Sequence, residues 1–262
     1  MRITQNTLQK MYQNGEKFTI LTCYDASFAA VLEKAGIDVL LVGDSLGNVL
    51  QGKDTTLSVT LSDMEYHTRC VAQGATNALI LTDMPFGTYQ TTPSCAFKNA
   101  VKLIAAGAHM VKIEGGRSMA DTIRFLTQRG IPVCAHIGLT PQSIHQLGGY
   151  KPQGKTDVEA NLLLEDAIIL EEAGANMLLM ELVPAALARK ITQETSIPTI
   201  GIGAGSDCSA QVLVLHDMLG IYPTKARFNK NFMMGALSIE DAIKRYIKAV
   251  KSGEFPGTEH QY

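Results

Sequence analysis

The sequence has few charged residues and no excess of either sign. Aspartate, glutamate, lysine and arginine make up 18% of its 262 residues, against about 25% in an average globular chain. The 23 basic and 25 acidic residues leave a formal charge of -2. This balance offers no basic surface for nucleic acid and no polybasic anchor for a membrane, so we expect a small-molecule ligand. The low charge also predicts that much surface is buried, within the chain or against a partner.

Long hydrophobic segments and paired cysteines are absent as well. No stretch reaches the length of about 18 apolar residues that a membrane span requires, and residues 1–18 lack the apolar core of a secretory signal. We therefore expect a cytoplasmic protein. The five cysteines are scattered without a C-x-x-C pair, which argues against a zinc or disulfide-exchange site and predicts free, mostly buried thiols.

Short apolar segments rich in valine, isoleucine and leucine recur along the chain, and longer amphipathic segments separate most of them. They are FTILTCY, DVLLVGD, ALILTDM, MVKIEG, PVCAHIG, NMLLMEL, PTIGIGA and VLVLHDM. Continuous apolar character indicates strands covered on both faces, as in a parallel sheet surrounded by helices. About eight such units predict an α/β protein with one domain over residues 1–262, a (β/α)8 TIM barrel.

A weak internal repeat supports this fold. KAGIDVLLVGD, AAGAHMVKIEG and EAGANMLLMEL each place a glycine between a helix and a strand, at Gly36, Gly107 and Gly174. Glycine is favoured at a helix C-terminus because it enters the left-handed region without a side-chain clash. The last amphipathic segment, residues 238–253, predicts an additional C-terminal helix outside the repeat, packed on the barrel or on a neighbouring subunit.

Polar residues that end the predicted strands form the candidate site, because active sites of parallel barrels lie at the C-terminal ends of the strands. They are Asp25, Asp44, Asp83, Glu114, His136 and Glu181. Asp25 precedes a helical pattern and is better interpreted as a helix N-cap. Asp44, Asp83 and Glu114 offer hard oxygen ligands on three different strands, with no histidine or cysteine cluster, and predict Mg²⁺ or a similar ion.

Three further interpretations at this end of the barrel stay open. Lys112 lies two residues before Glu114 on the same side of a strand, either as a structural partner of a carboxylate or as a cation that holds a substrate carboxylate. Four apolar residues precede Glu181, a setting that raises a pKa toward that of a general base, although an arginine could pair with it instead. His136 is either a hydrogen-bonding residue of the barrel mouth or a core histidine.

Two glycine-containing motifs are less specific. Residues 201–206, GIGAGS, have Ser206 where the dinucleotide fingerprint requires its third glycine, and they form either an anion-binding loop or a tight turn. Residues 149–156 match the P-loop pattern G-x-x-x-x-G-K-T, but the polar, proline-interrupted LTPQSIHQL separates them from the preceding strand. We therefore do not expect nucleotide hydrolysis.

Longer motifs resemble one enzyme family over nearly the whole chain. LTCYDASFA, VGDSLGNVLQG, DMPFGTYQ, VKIEGG, IGLTPQSIHQLGGYKPQGK, MELVP, IGIGAG and ARFNKNF are similar, in this order, to segments of the ketopantoate hydroxymethyltransferases. The resemblance implies Mg²⁺-dependent transfer of a one-carbon unit from 5,10-methylenetetrahydrofolate to 3-methyl-2-oxobutanoate, giving 2-dehydropantoate in pantothenate biosynthesis. It also implies a homodecamer of two stacked five-membered rings.

The resemblance also implies the roles of individual residues. It places metal ligands at Asp44, Asp83 and Glu114, substrate-binding groups at Asp44, Ser45, Asp83 and Lys112, and the catalytic base at Glu181. A 2-oxo acid can chelate a divalent ion, which stabilises the enolate formed when the neighbouring carbon loses its proton. Two alternatives remain: a folate-independent, metal-dependent carbon-carbon lyase acting on a 2-oxo acid, and a binding protein without turnover.

Overall fold

Eight parallel strands close into a barrel in the computed structural model, which describes residues 2–223 and 226–262. Each strand pairs with its neighbours in sequence, and the last pairs with the first. The strands are β1 (Phe18–Thr22), β2 (Val39–Val42), β3 (Leu79–Asp83), β4 (Met110–Glu114), β5 (Val133–Gly138), β6 (Met177–Glu181), β7 (Thr199–Ile202) and β8 (Ala210–Leu213). The predicted (β/α)8 TIM barrel is confirmed.

Helices surround this barrel and connect most of the strands. They are α1 (Gln5–Gln13), α2 (Ala26–Ala35), α3 (Leu46–Val49), α4 (Leu61–Gly74), α5 (Pro93–Ala105), α6 (Ala120–Thr127), α7 (Ile144–Leu147), α8 (Asp157–Glu172), α9 (Ala185–Glu194), α10 (Leu215–Met218) and α11 (Ile239–Lys251), with short 3-10 turns at Arg117–Met119, Pro141–Ser143 and Thr258–His260. Residues 203–209, which connect β7 to β8, contain no helix. In the part of the chain that the structure describes, no helix combines the length and hydrophobicity of a membrane span.

Local sequence determines where the helices begin and end. Asp25 caps α2 by accepting a hydrogen bond from the N–H of Phe28 at 2.9 Å, as predicted. Gly36, Gly107 and Gly174 have φ angles of 97°, 117° and 98°. These left-handed conformations let the chain leave a helix and begin a strand within a few residues. The repeat in the sequence is therefore the same helix–glycine–strand junction used three times.

The eighth strand differs from its prediction. The segment VLVLHDM was expected to be the strand, but β8 covers Ala210–Leu213, and Leu215–Met218 form the short helix α10. The polar Gln211 enters the strand because its buried side chain donates to a backbone carbonyl of the β7–β8 connection at 2.9 Å. Asp217 consequently reaches the barrel mouth from a helix and not from a strand end.

The N-terminal helix covers one end of the barrel, and the C-terminal helix packs on its outer surface. Leu8 of α1 is fully buried against the residues inside the barrel, so α1 covers the N-terminal ends of the strands. The C-terminal helix α11 packs on β1 and α2, and the Tyr246 hydroxyl donates to the carbonyls of Ile20 at 3.0 Å and Gln211 at 2.8 Å. Of the two places left open for this helix, it takes the one on the barrel. The opposite end, where the strands finish, remains open.

Candidate active site

A cavity of about 570 Å³ opens at the C-terminal ends of the strands. Its wall includes Asp44, Ser45, Asp83, Lys112, Glu114, His136 and Glu181, so the barrel brings together every side chain that the sequence assigned to metal, substrate or catalysis. A volume of this size suits a small organic ligand with room for part of a second one.

Asp44, two residues after the end of β2, lies next to Asp83, the last residue of β3. The backbone N–H of Asp44 donates to Oδ2 of Asp83 at 3.0 Å, and both side chains are buried. Burial raises the pKa of Asp44 well above its ordinary value, and the charges of Asp83 and Glu114 raise it further. Burial also raises the pKa of Asp83, although the neighbouring Lys112 opposes this. These carboxylates are therefore crowded with negative charge.

Lys112 supplies a positive charge inside this cluster. Its Nζ lies 3.2 Å from Oδ1 of Asp83, 3.5 Å from Oε1 of Glu114 and 3.2 Å from Nδ1 of His136. Burial disfavours the ammonium charge, but Asp83, Glu114 and Asp44 outweigh burial and raise the pKa of Lys112. Burial would raise the pKa of Glu114, yet Lys112 and His136 lower it to about 2. The structure therefore shows that Lys112 pairs with carboxylates of the protein. The role of Lys112 in binding the substrate stays a prediction.

Glu181 ends β6 and lies beside His136 of the adjacent strand β5. Its side chain is 16% exposed, and Oε2 lies 3.4 Å from Nε2 of His136. Burial, followed by the charge of Glu114, raises the pKa of Glu181 to about 8. Burial and Lys112 lower the pKa of His136, so its ring is neutral. Nδ1 of His136 lies 3.2 Å from the Lys112 Nζ and 3.6 Å from Oε1 of Glu114, and its Nε2, on the side of Glu181, is buried without a hydrogen bond. No arginine of the described ranges pairs with Glu181.

The residue after Glu181 has an unusual backbone conformation. Leu182 has a φ of 47°, the one positive φ among the described residues other than glycine. Its N–H donates to the carbonyl of Ile202 at 2.9 Å, and its own carbonyl accepts from the N–H of Gln153 at 2.9 Å. The carbonyl of Glu181 accepts from the N–H of Leu139 at 2.8 Å. These bonds hold Leu182 in a conformation that costs about 1–2 kcal/mol, and they fix the direction of Glu181.

Gln142 connects two of the carboxylates and was missed by the sequence analysis. Its Nε2 donates to Oδ2 of Asp44 at 2.9 Å, and its backbone N–H donates to Oε2 of Glu114 at 2.9 Å. The Tyr89 hydroxyl donates to Oε1 of Gln142 at 2.6 Å and fixes the amide. Gln142 lies in the 3-10 turn Pro141–Ser143 and not at a strand end, so the rule that found the acids does not reach it.

The other side of the mouth also contains residues that the sequence analysis did not select. They are Asp217, Tyr222, Arg227, Phe228 and Tyr262. Ser45, which was selected, is held by a hydrogen bond of 2.9 Å between its hydroxyl and that of Tyr24. The five residues that were not selected all follow β8 in the chain. Asp217 belongs to VLVLHDM, which was assigned to the eighth strand, so the strand-end rule reaches it although it was not selected.

The two glycine motifs have structural roles in the described chain. A Cβ at Gly203, which has a φ of 63°, would lie 3.2 Å from the Tyr262 ring and 3.3 Å from Phe228. The segment GIGAGS therefore contains a tight turn that packs against aromatic side chains. Residues 149–156 follow helix α7, and Thr156 caps α8 by accepting from the N–H of Glu159 at 3.3 Å. The strand that a P-loop requires is absent before them.

The charge balance of the cavity fits a divalent cation. Of the residues that the structure describes at the strand ends, four are acids, Asp44, Asp83, Glu114 and Glu181, and one is a lysine, Lys112. The buried Oδ1 of Asp83 contacts that lysine without making a hydrogen bond. Carboxylate oxygens are the ligands that Mg²⁺ prefers. Within residues 2–223 and 226–262, no three His, Cys, Asp or Glu side chains converge closely enough to hold a metal ion unaided. A cation at this place would therefore need oxygen ligands from water or substrate as well.

Comparison with known proteins identifies close relatives over the full length. A family model described as ketopantoate hydroxymethyltransferase matches residues 2–258. The 3-methyl-2-oxobutanoate hydroxymethyltransferase of Nitrosospira multiformis is 70% identical over 263 residues, with 100% of both chains covered. The enzyme of the same name from Thiobacillus denitrificans is 57% identical over 262 residues, again with 100% of both chains covered.

Solved structures with the same barrel are much more distant in sequence. A phosphonopyruvate hydrolase in complex with oxalate and Mg²⁺ has a TM-score of 0.61 at 14% identity, with 80% of each chain covered. A 2,3-dimethylmalate lyase has a TM-score of 0.62 at 18% identity, with 84% of this chain and 83% of that chain covered. At these identities the likeness shows the fold alone.

Proposed function

The chain belongs to the ketopantoate hydroxymethyltransferase family, and from this premise we propose how its barrel mouth transfers a hydroxymethyl group to 3-methyl-2-oxobutanoate, giving 2-dehydropantoate. One observation carries the proposal: Glu181, whose pKa is raised to about 8, lines the same cavity as the buried cluster around Lys112. The first is suited to removing a proton from carbon, and the second to binding an anionic oxo acid.

A divalent cation, Mg²⁺, belongs to this proposal, with Asp44, Asp83 and Glu114 as the residues that would hold it. When bound, it supplies positive charge that binds the oxo acid and stabilises negative charge on the ketone oxygen. The excess of buried carboxylate over the one ammonium supports this part of the proposal. Gln142 keeps Asp44 and Glu114 in place through its two hydrogen bonds.

The protein groups divide the remaining work. Asp44, Ser45 and Asp83 bind the oxo acid, and the Lys112 ammonium binds its carboxylate. Glu181 accepts the proton from C3 of the oxo acid on a carboxylate oxygen. Neutral His136, whose Nε2 lies 3.4 Å from Oε2 of Glu181, packs beside that carboxylate from β5.

The second substrate is 5,10-methylenetetrahydrofolate, which supplies the carbon. The electron pair left at C3 forms the new bond to the methylene carbon, and the bonds from that carbon to N5 and N10 of the folate both break. Water supplies the hydroxyl oxygen, and the two folate nitrogens take up two protons, one equivalent to the proton removed from C3 and one from the water. Positioning of the two substrates contributes more to this step than further acid–base catalysis. The proposal also keeps a cytoplasmic homodecamer as the working form.

The test isolates proton removal from carbon transfer. In D₂O with Mg²⁺ and without folate, the wild-type protein should exchange the C3 proton of 3-methyl-2-oxobutanoate, as followed by proton NMR. Glu181→Gln keeps the size of the side chain but removes the proton acceptor, so exchange should fall about 10²- to 10⁴-fold while oxo-acid binding persists. EDTA should abolish wild-type exchange. Glu172→Gln, at an exposed position of α8, is the matched control.

The pH dependence of exchange gives a second readout on Glu181. Only the ionised carboxylate accepts a proton, so the wild-type rate should rise with pH as Glu181 loses its own proton. A bound cation would move this rise to lower pH because it favours the charged form. Exchange by Glu181→Gln at the parent rate would place the base elsewhere. If product forms only when methylene-folate is present, the protein is not a folate-independent lyase. If it exchanges the C3 proton at all, it is not a binding protein without turnover.

A further inference from the structure

The barrel mouth holds one more buried carboxylate, on the helix that follows β8, and the proposed chemistry does not use it. Asp217 is 7% exposed and lines the same cavity as Glu181. Its Oδ1 is buried and makes no hydrogen bond, and none of the described lysines or arginines forms an ion pair with it. A buried carboxylate oxygen without a donor is costly. This position therefore calls for a ligand that donates hydrogen bonds.

The surroundings of Asp217 narrow the kind of ligand. The Asn229 side chain donates to the Asp217 carbonyl at 3.1 Å, which leaves Oδ1 of Asn229 buried and also without a donor. Tyr222, Phe228 and Tyr262 line the same cavity and offer flat apolar surface. Acceptors without donors, next to aromatic rings, suit a planar heterocycle with N–H groups along one edge.

The position of Asp217 also separates it from the oxo-acid groups. The acids and Lys112 of the first cluster lie on or just after β2 to β6, whereas Asp217 follows β8, outside this run of strands. A reaction that joins two substrates needs two adjoining places in one cavity, with the reacting carbons facing each other. Asp217 marks the second place.

We propose that Asp217 binds the pterin ring of the folate co-substrate by accepting hydrogen bonds from its N3–H and its 2-amino group. The inference rests on the proposed function, which supplies the folate. A 2-amino-4-oxopterin presents these two donors side by side, and a carboxylate accepts such a pair in a bidentate manner. The ring then lies against the aromatic wall, and the carboxylates of the folate tail point toward the rim, where Arg227 is exposed.

The test compares folate binding by matched variants. Asp217→Asn keeps the shape of the side chain but replaces one acceptor by a donor. Its dissociation constant for tetrahydrofolate, measured calorimetrically with Mg²⁺ and oxo acid present, should increase about 10- to 100-fold, the usual effect of losing a hydrogen bond to a charged group. Asp54→Asn, an exposed carboxylate on the wall of the same cavity, should bind tetrahydrofolate like the wild type.

A folate analogue that lacks the 2-amino group tests the same contact in the wild-type protein, so this result does not depend on how the variant folds. Wild-type protein should bind 2-desamino-2-methyltetrahydrofolate about 10-fold or more weakly than tetrahydrofolate, whereas Asp217→Asn should discriminate little between them, because the contact is already lost. Equal affinity of the wild type for both ligands would overturn the inference. The C3 exchange assay needs no folate, so failure of exchange in the wild type contradicts the proposed function, while unchanged folate binding by Asp217→Asn contradicts this inference only.

Discussion

Lys112 is the residue on which the charge balance of the oxo-acid cluster depends. It contacts Asp83 and Glu114 and holds the pKa of Glu114 at about 2 in spite of burial. A structural partner and a substrate-binding cation would both be placed like this. The two roles differ in what happens after the charge is removed, because only a substrate-binding cation changes the affinity for the oxo acid.

Lys112→Met keeps the apolar stem and removes the ammonium. We expect the KM for 3-methyl-2-oxobutanoate to rise about 10- to 100-fold, since a hydrogen-bonded charge pair with the substrate carboxylate is lost. We also expect lower stability without Mg²⁺, because buried carboxylates lose their compensating charge. Steady-state kinetics at saturating Mg²⁺ and urea denaturation measure the two effects. A variant that unfolds easily while its folded fraction keeps the parent KM would leave Lys112 with a structural role only.

At the residue scale, the sequence predicts side chains at strand ends well and those on intervening turns poorly. Asp44, Asp83 and Glu181 follow apolar segments directly, so the barrel rule brings them to the mouth. Gln142 reaches the carboxylates from a 3-10 turn, and Asp217 reaches the cavity from a short helix. The position of Gln142 depends on contacts with residues far away in the sequence, and no local pattern encodes those contacts.

Among the elements, the ends of β5 and β6 pack closely where they reach the cavity. Gly138 ends β5 with a φ of 88°, and a Cβ at this position would overlap the carbonyl oxygen of Glu181 and lie 2.6 Å from the Val183 side chain. The absence of a side chain therefore lets the end of β6 pack against β5. The direction of Glu181 depends on this packing.

Gly138→Ala should consequently damage both stability and catalysis. The left-handed conformation costs about 1–2 kcal/mol for alanine, and the overlap with β6 adds about 1–3 kcal/mol. Gly130→Ala is the matched control, because Gly130 has a φ of 83° with no atom within 4 Å of its Cβ position. It should lose only the conformational part and keep its C3 exchange rate. Equal losses of stability for the two variants in urea would contradict the close packing of β5 on β6.

Seven strands could be predicted from their apolar segments, but β8 and the β7–β8 connection could not. Both have physical causes. Polar Gln211 belongs to β8 because it bonds within the connection. The Lys17 ammonium donates to the carbonyls of Ser206 at 2.7 Å and Cys208 at 2.8 Å, so a side chain satisfies backbone groups that a helix would otherwise satisfy. A side chain that takes over the hydrogen bonds of a helix in this way leaves no periodic pattern in the sequence.

On the scale of the whole molecule, the low charge of the sequence has a counterpart on the surface. Val158 and Leu162 are exposed on α8, Val158 to 71%, and Met234 and Leu237 are exposed before α11, Leu237 to 94%. Exposed apolar side chains in groups mark places where other chains bind. The proposed assembly of two stacked rings requires two kinds of contact, one within a ring and one between rings, and we assign one of these two groups of described apolar residues to each.

We therefore expect sedimentation velocity to give a mass roughly ten times the 28.3 kDa of one chain. Because few charges are available, salt should affect this mass little. Val158→Glu combined with Leu162→Glu places charges in one apolar region and should interrupt one kind of contact, giving pentamers or dimers, since the other kind persists. Leu237→Glu should interrupt the other kind. A wild-type protein that sediments as a single chain at micromolar concentration, or variants that keep the full mass, would contradict an assembly built on these two regions.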